Sequence, residues 1–138
     1  MYDVIIVGTD GSEKANRAVQ RALALAKEHG AELHGITVVN TARYGEPALS
    51  SSELVLNELE DRGNQQLSEI SEQASERGIQ IVTECFHGDP SREIIDYSQE
   101  NDADLIVLGS HGHTHPRSIL GSTAKRVLHE ADREVLIV

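Results

Sequence analysis

Two glycine-rich segments of this chain have the residue types to hold an anion. Gly109-Ser110-His111-Gly112 directly follows the apolar run Leu105-Ile106-Val107-Leu108, and eight residues separate Gly112 from Gly121-Ser122-Thr123. Glycines at a strand end let backbone N–H groups turn outward and approach an anion closely. The second segment opens a helix, which adds free N–H groups, a positive dipole end and the hydroxyls of Ser122 or Thr123. Together they can cradle a polyphosphate. The plainer reading is a glycine turn followed by a serine-capped helix, and local pattern leaves both open. A third segment, Gly8-Thr9-Asp10-Gly11-Ser12, ends the first apolar run. There a carboxylate can bond ribose hydroxyls or hold a metal, with Thr9 adding a hydroxyl. Alternatively, Asp10 shares with Ser12 the capping of the next helix.

His111, His113 and His115 form a His-x-His-x-His run. Alternate residues of an extended segment point the same way, so three imidazoles could meet one transition metal; a solvated polar loop is the simpler account. His29, His34, His87 and His129 are scattered and default to surface or hydrogen-bonded positions. No Gly-x4-Gly-Lys-Ser/Thr loop, Gly-x-Ser-x-Gly elbow or zinc-protease motif occurs, so dedicated catalysis has no visible machinery.

Val4-Ile5-Ile6-Val7, Leu105-Ile106-Val107-Leu108 and Val135-Leu136-Ile137-Val138 are short, continuous apolar runs, the pattern of strands covered on both faces. Between them the period changes to that of helices. Ala15, Ala18, Val19, Ala22, Leu25 and Ala26 predict a first helix, capped by Ser12 and stopped by Gly30. Leu33 to Val39 reads as a second strand. A loop from Thr41 leads to a second helix capped at Ser50, whose stripe runs Leu56, Leu59, Gly63, Leu67, Ile70 and Ala74. A third strand is expected from Ile79 to Phe86, and Asp89-Pro90 opens a third helix. Ala103 to Leu108 is the fourth strand, Ser122 to about His129 the last helix, and a fifth strand closes the chain. This β-α alternation describes a single doubly wound α/β domain over residues 1–138, with a five-stranded parallel sheet, helices on both faces and its ligand crevice at the carboxyl ends of the strands.

Strand one running into Gly8-Thr9-Asp10-Gly11-Ser12-Glu13, the Gly88-Asp89-Pro90 turn, Ala103 to Gly112 and Gly121-Ser122 together resemble the universal stress protein family, in the same order and across the whole chain. The family's phosphate motif is Gly-x2-Gly-x9-Gly-Ser/Thr; here the second interval is eight residues. The resemblance implies strand order 3-2-1-4-5 and binding of ATP with Mg²⁺. It implies that Asp10, with Thr9, contacts the nucleoside and that Val38 flanks adenine. Gly109, His111, Gly112, Gly121, Ser122 and Thr123 would surround ribose and phosphates, with local cations from Arg117, Lys125 and Arg126. It also implies a homodimer through antiparallel pairing of strand five, Glu134-Val135-Leu136-Ile137-Val138. An apolar edge strand left uncovered is a liability that pairing removes, which supports the same assembly. The function implied is a sensing or regulatory one, with at most slow ATP hydrolysis. A nucleotide-free dimeric interaction module is the alternative, and a metal-binding protein using His111, His113 and His115 a third.

Composition bounds the partners. The 138 residues carry 23 acidic and 12 basic side chains, a net charge of −11, so nucleic acid and anionic membranes are poor partners. No apolar run is long enough to cross a membrane, and the amino terminus lacks the basic start of a signal peptide. A single cysteine, Cys85, fits a reducing cytoplasm and reads as a buried structural thiol. Scarce lysine and excess acid resemble proteins adapted to high salt.

Overall fold

The computed structural model describes residues 1–41, 50–110 and 121–138, with side chains omitted for residues 50–52. Strands and helices alternate as β1 (Val4–Gly8), α1 (Glu13–His29), β2 (Glu32–Asn40), α2 (Ser50–Glu76), β3 (Ile81–Gly88), α3 (Pro90–Glu100), β4 (Leu105–Leu108), α4 (Ser122–Glu130) and β5 (Glu134–Ile137). The sheet order is β3-β2-β1-β4-β5, with every neighbouring pair parallel. The chain leaves β1 outward to β2 and β3, then crosses back to β4. This places the switch point, where a doubly wound sheet opens its crevice, between β1 and β4.

The continuous apolar runs are explained by burial on both faces. Ile5, Val7, Leu33, Leu105 and Val107 face α1 and α2, packing with Ala18, Leu23, Leu67, Ile70 and Ala74. Ile6, Ile36, Ile106 and Leu108 face the other way, against Ile94, Ile95 and Tyr97 of α3 and Val127 of α4. Each fully buried aliphatic side chain contributes roughly 1.5–3 kcal/mol, so β1 and β4, which flank the switch point, are firmly anchored.

Local chemistry sets the element ends. The Ser12 hydroxyl accepts the Ala15 N–H at 3.2 Å and starts α1, and Gly30 closes it in the left-handed region. The α1 stripe departs from expectation at one position: Leu23 is fully buried, whereas Leu25 is only half-buried. Both flank the stripe, and which flank is covered depends on the neighbouring elements. β3 begins at Ile81 rather than Ile79, because Ile79 N–H turns back to the Ala74 carbonyl (2.9 Å) to close α2. β4 begins at Leu105 rather than Ala103, whose N–H is used by the Ser98 carbonyl (2.9 Å). The Asp104 carboxylate accepts the N–H groups of Asp3 (2.8 Å) and Val4 (3.0 Å), tying the start of β1 to β4. Those two bonds, Val4 first, hold its carboxyl below the usual range.

One polar network lies inside the apolar layer beneath α3. His34 Nδ1 meets the Tyr97 hydroxyl at 2.6 Å, and His34 Nε2 meets Glu32 Oε1 at 2.6 Å. Burial first, then the carboxylates of Glu84, Glu32 and Glu100, push the Tyr97 phenol up, so it stays protonated and can donate. A carboxylate only accepts, so Nε2 carries a proton toward Glu32; in the neutral imidazole Nδ1 is then the acceptor from Tyr97. His34 is thus fully satisfied where it is buried, as expected for a histidine without a site role.

Candidate functional site

The carboxyl ends of β1, β2 and β4 open into a crevice of about 670 Å³, within the size range of small-molecule sites. It gathers Thr9, Asp10, Val38, Gly109, Gly121, Ser122 and Thr123 from segments far apart in the chain. His111, Gly112, His113, His115 and Arg117 lie outside the described residues.

At the β1 end, the turn into α1 is braced by its own side chains. Thr9 Oγ1 accepts the Gly11 N–H (3.1 Å), and Asp10 Oδ1 accepts the Ser12 N–H (2.9 Å). The capping oxygen of α1 is therefore that of Ser12. Asp10 shapes the turn before it while remaining exposed at the crevice.

At the β4 end, Gly121 N–H donates to the Ser110 carbonyl (2.6 Å), and Ser110 N–H donates to the Val138 carbonyl (2.8 Å). These bonds pin both ends of the glycine-rich loop to the sheet. α4 begins with Gly121, which has no side chain to cap it, and its first intrahelical bond runs from Lys125 N–H to the Gly121 carbonyl. The N–H groups of Ser122, Thr123 and Ala124 have no acceptor among the described residues, and all three residues line the crevice. An uncapped helix start facing a cavity attracts an anion through both hydrogen bonds and its dipole.

Gly109 has a second explanation. A Cβ there would stand 2.8–2.9 Å from the backbone of Lys14 and Ala15. The first turn of α1 thus presses on the end of β4, and glycine is needed for packing whatever binds in the crevice.

Of the three expected cations, Arg117 lies outside the described residues and the other two do not line the crevice. Arg126 pairs with Asp89 (2.9 Å), and Lys125 is exposed without lining the crevice. Arg62 of α2 is the one Lys or Arg lining the crevice among the described residues, and it has no acid or hydrogen-bond partner there. Sequence reasoning missed α2 as a wall because its stripe looked wholly structural. The signal was Gly63 interrupting that stripe: a Cβ there would lie 2.9 Å from Thr37 Cγ2 and 3.6 Å from Cys85 Sγ. At this point α2 closes on the sheet, bringing Leu59, Arg62 and Gln66 to the crevice.

Cys85, expected to be buried, is half-buried beside Gly63; burial and then Glu60 push its thiol up, which disfavours the thiolate. Among the described residues, no group of three or more His, Cys, Asp or Glu is arranged to hold a metal, and no helix is long and apolar enough to cross a membrane.

A five-stranded parallel sheet with helices on both faces and a crevice at its switch point defines a doubly wound α/β protein. The family model for the universal stress protein family matches residues 1–138. A universal stress protein of Methanocaldococcus jannaschii is 39% identical over 140 residues, spanning 100% of this chain and 82% of that protein. Among solved structures, the universal stress protein UspA from Lactobacillus plantarum superposes with a TM-score of 0.92 at 30% identity, covering 99% of this chain and 97% of that one. A universal stress protein in complex with cAMP matches with a TM-score of 0.74 at 28% identity, covering 99% and 97%. The chain belongs to the universal stress protein family.

Proposed function

We propose that this protein binds an adenine nucleotide, ATP with Mg²⁺, in the β1/β4 crevice, and that it acts as a cytoplasmic sensing or regulatory dimer rather than as a dedicated catalyst. The observation that carries the reading is the uncapped start of α4, whose N–H groups at Ser122–Ala124 share one crevice with Asp10 and Val38. In this reading the α4 start and the hydroxyls of Ser122 and Thr123 hold phosphate, Asp10 and Thr9 contact the nucleoside, and Val38 flanks the base. Gly109 shapes the floor, with His111 and Gly112 completing the phosphate loop. The related protein in complex with cAMP, at 28% identity, supports an adenine nucleotide as the ligand class.

Mg²⁺ suits this site as an ion carried by the phosphates. It commonly keeps several waters and takes one or two carboxylates besides substrate oxygens, and Asp10 is the one acid lining the crevice among the described residues. When bound, it neutralises phosphate charge. That matters for a chain of net charge −11, whose crevice otherwise offers a single cation, Arg62, among its described lining residues.

Dimerisation is proposed through β5. The strand pairs with β4 on one side and is the edge of the sheet on the other, with Val135, Leu136 and Ile137 half-buried. Antiparallel pairing with a second copy would satisfy its open backbone groups.

The deciding experiment is calorimetric titration with ATP and Mg²⁺, alongside the thermal shift at millimolar ATP. Saturable heat and a raised Tm are expected. Absence of both would refute the nucleotide reading and leave the fold as a nucleotide-free interaction module.

A further inference from the structure

We propose that Thr37, on β2, is a ligand-binding residue of the crevice, its hydroxyl bonding the nucleoside part of the bound nucleotide rather than the phosphates. The inference rests on the nucleotide reading above and adds to it a contact from a residue outside every motif read in the sequence.

Five polar side chains are buried among the described residues: Ser12, His34, Thr37, Ser91 and Ser98. Four have partners within the fold. Ser12 Oγ accepts the Ala15 N–H, and His34 bonds Tyr97 and Glu32. Ser91 Oγ donates to Asp89 Oδ1 (3.2 Å), and Ser98 Oγ donates to the Ile95 carbonyl (2.7 Å). Thr37 is the exception. It is 6% exposed, yet its hydroxyl makes no hydrogen bond among the described residues. Buried hydroxyls almost always have a partner, because an unpaired one costs about as much as a lost hydrogen bond. Thr37 lines the crevice and its oxygen keeps access to solvent, so the crevice is the side from which a partner can come. A ligand filling this corner takes away the water that otherwise solvates the hydroxyl and must replace that bond.

The hydroxyl is also held in place. Thr37 Cγ2 lies under Gly63 of α2, 2.9 Å from where a Cβ would stand, and Oγ1 is farther off at 3.6 Å. A β-branched side chain has few rotamers, and one whose methyl is packed against a helix loses little freedom on binding.

Position in the sheet decides which part of the ligand it meets. Thr9 N–H donates to the Ile36 carbonyl (3.0 Å), which puts Thr37 beside the β1–α1 turn that carries Thr9 and Asp10. The phosphate anchor is elsewhere, because the start of α4 is bonded to Ser110, just past the end of β4. β1 stands between β2 and β4. Two strand spacings, about 10 Å, therefore separate the strand of Thr37 from that anchor. α2 and α4 also cover opposite faces of the sheet, which lengthens the path. A nucleotide with its phosphates at α4 brings its nucleoside to Thr37.

The test is titration of ATP with Mg²⁺, and of adenosine in competition with ATP, on the full chain and two variants, with Tm measured in the absence of nucleotide. Thr37→Val keeps the branched shape and removes the hydroxyl. It is expected to weaken ATP and adenosine by the same factor, about three- to tenfold, the order of one neutral hydrogen bond. Without nucleotide its Tm should be unchanged or slightly higher, since no bond within the fold is lost. Thr37→Ser keeps the hydroxyl and should recover most of the affinity. The inference is overturned, while nucleotide binding stands, by unchanged ATP affinity in Thr37→Val or by a loss for ATP without one for adenosine. Failure of adenosine to compete on wild type, or a loss that Thr37→Ser does not recover, overturns it equally. A lowered Tm in Thr37→Val does so too, by showing that the fold itself uses the hydroxyl. If wild type binds neither ligand, the nucleotide reading fails and takes this inference with it.

Discussion

Replacing Gly109 by alanine separates two reasons for a glycine that the motif alone cannot distinguish. If the residue is glycine so that backbone can approach a phosphate, Gly109→Ala should lose affinity and keep its stability. The structure points to the opposite balance. An ideal Cβ would lie 2.8 Å from Lys14 C, 2.9 Å from Ala15 N and 2.9 Å from Lys14 O. All three are backbone atoms in the first turn of α1, so no side-chain rotation can relieve the contact. Ordinary van der Waals separation requires α1 and β4 to part by about 0.6 Å. Overpacking of this kind costs about 1–3 kcal/mol. With a central value near 2 kcal/mol, and a domain of this size, Tm should fall by about 6–8 °C. Gly8→Ala is the internal comparison: its close contacts are Leu108 Cδ2 (2.7 Å) and Ile94 Cδ1 (3.1 Å), ends of side chains that can give. Its Tm loss should be smaller. The assay is thermal and urea unfolding without nucleotide, so that ligand effects cannot enter. A Gly109→Ala protein as stable as wild type would refute the packing argument and return the glycine to the phosphate.

Three further outcomes are expected. Arg62→Ala should weaken ATP about three- to tenfold, as loss of one partly solvated charge contact, and leave Tm within a degree or two; unchanged affinity would remove Arg62 from the site. Tyr97→Phe should cost about 1–3 kcal/mol, since it leaves His34 Nδ1 as a buried acceptor without its donor, and nitrogen-15 spectra of the wild type should show the proton on Nε2; a proton on Nδ1 near neutral pH would contradict the assignment. Asp104→Ala should destabilise by about 1–2 kcal/mol and flatten the acid limb of stability. The folded carboxyl of Asp104 is held low, so its contribution is complete above the ordinary carboxylate range and disappears as pH falls through the lowered value. An acid limb of unchanged slope in the variant would refute that role.

Much of the architecture was readable because its signals are local. Continuous β-branched runs mark strands covered on both sides, Ser12 and Gly30 bracket α1, and Asp89-Pro90 opens α3. The strand order and the family followed from motifs spread across the whole chain. The glycine turns and the Gly121 helix start located the crevice, since a parallel sheet has few places to put one. The carboxyl ends of β1 and β4 bring Thr9, Asp10, Gly109 and Ser122 together without further information.

What tertiary structure alone decided concerns closeness between elements. Whether Leu23 or Leu25 completes the α1 stripe depends on what covers each flank, which periodicity along one helix does not contain. Gly109 had a ligand explanation in the sequence and has a packing one in the fold, because the backbone of Lys14 lies nearly a hundred residues away along the chain but in contact through space. Arg126 looked like a phosphate-loop cation and is occupied by Asp89. Arg62 and Gln66, outside the apolar stripe read for this helix, line the crevice because Gly63 allows α2 to close on β2. Residue types and their order along the chain determine which elements form. Side-chain volume at the contacts between those elements determines which residues face the ligand.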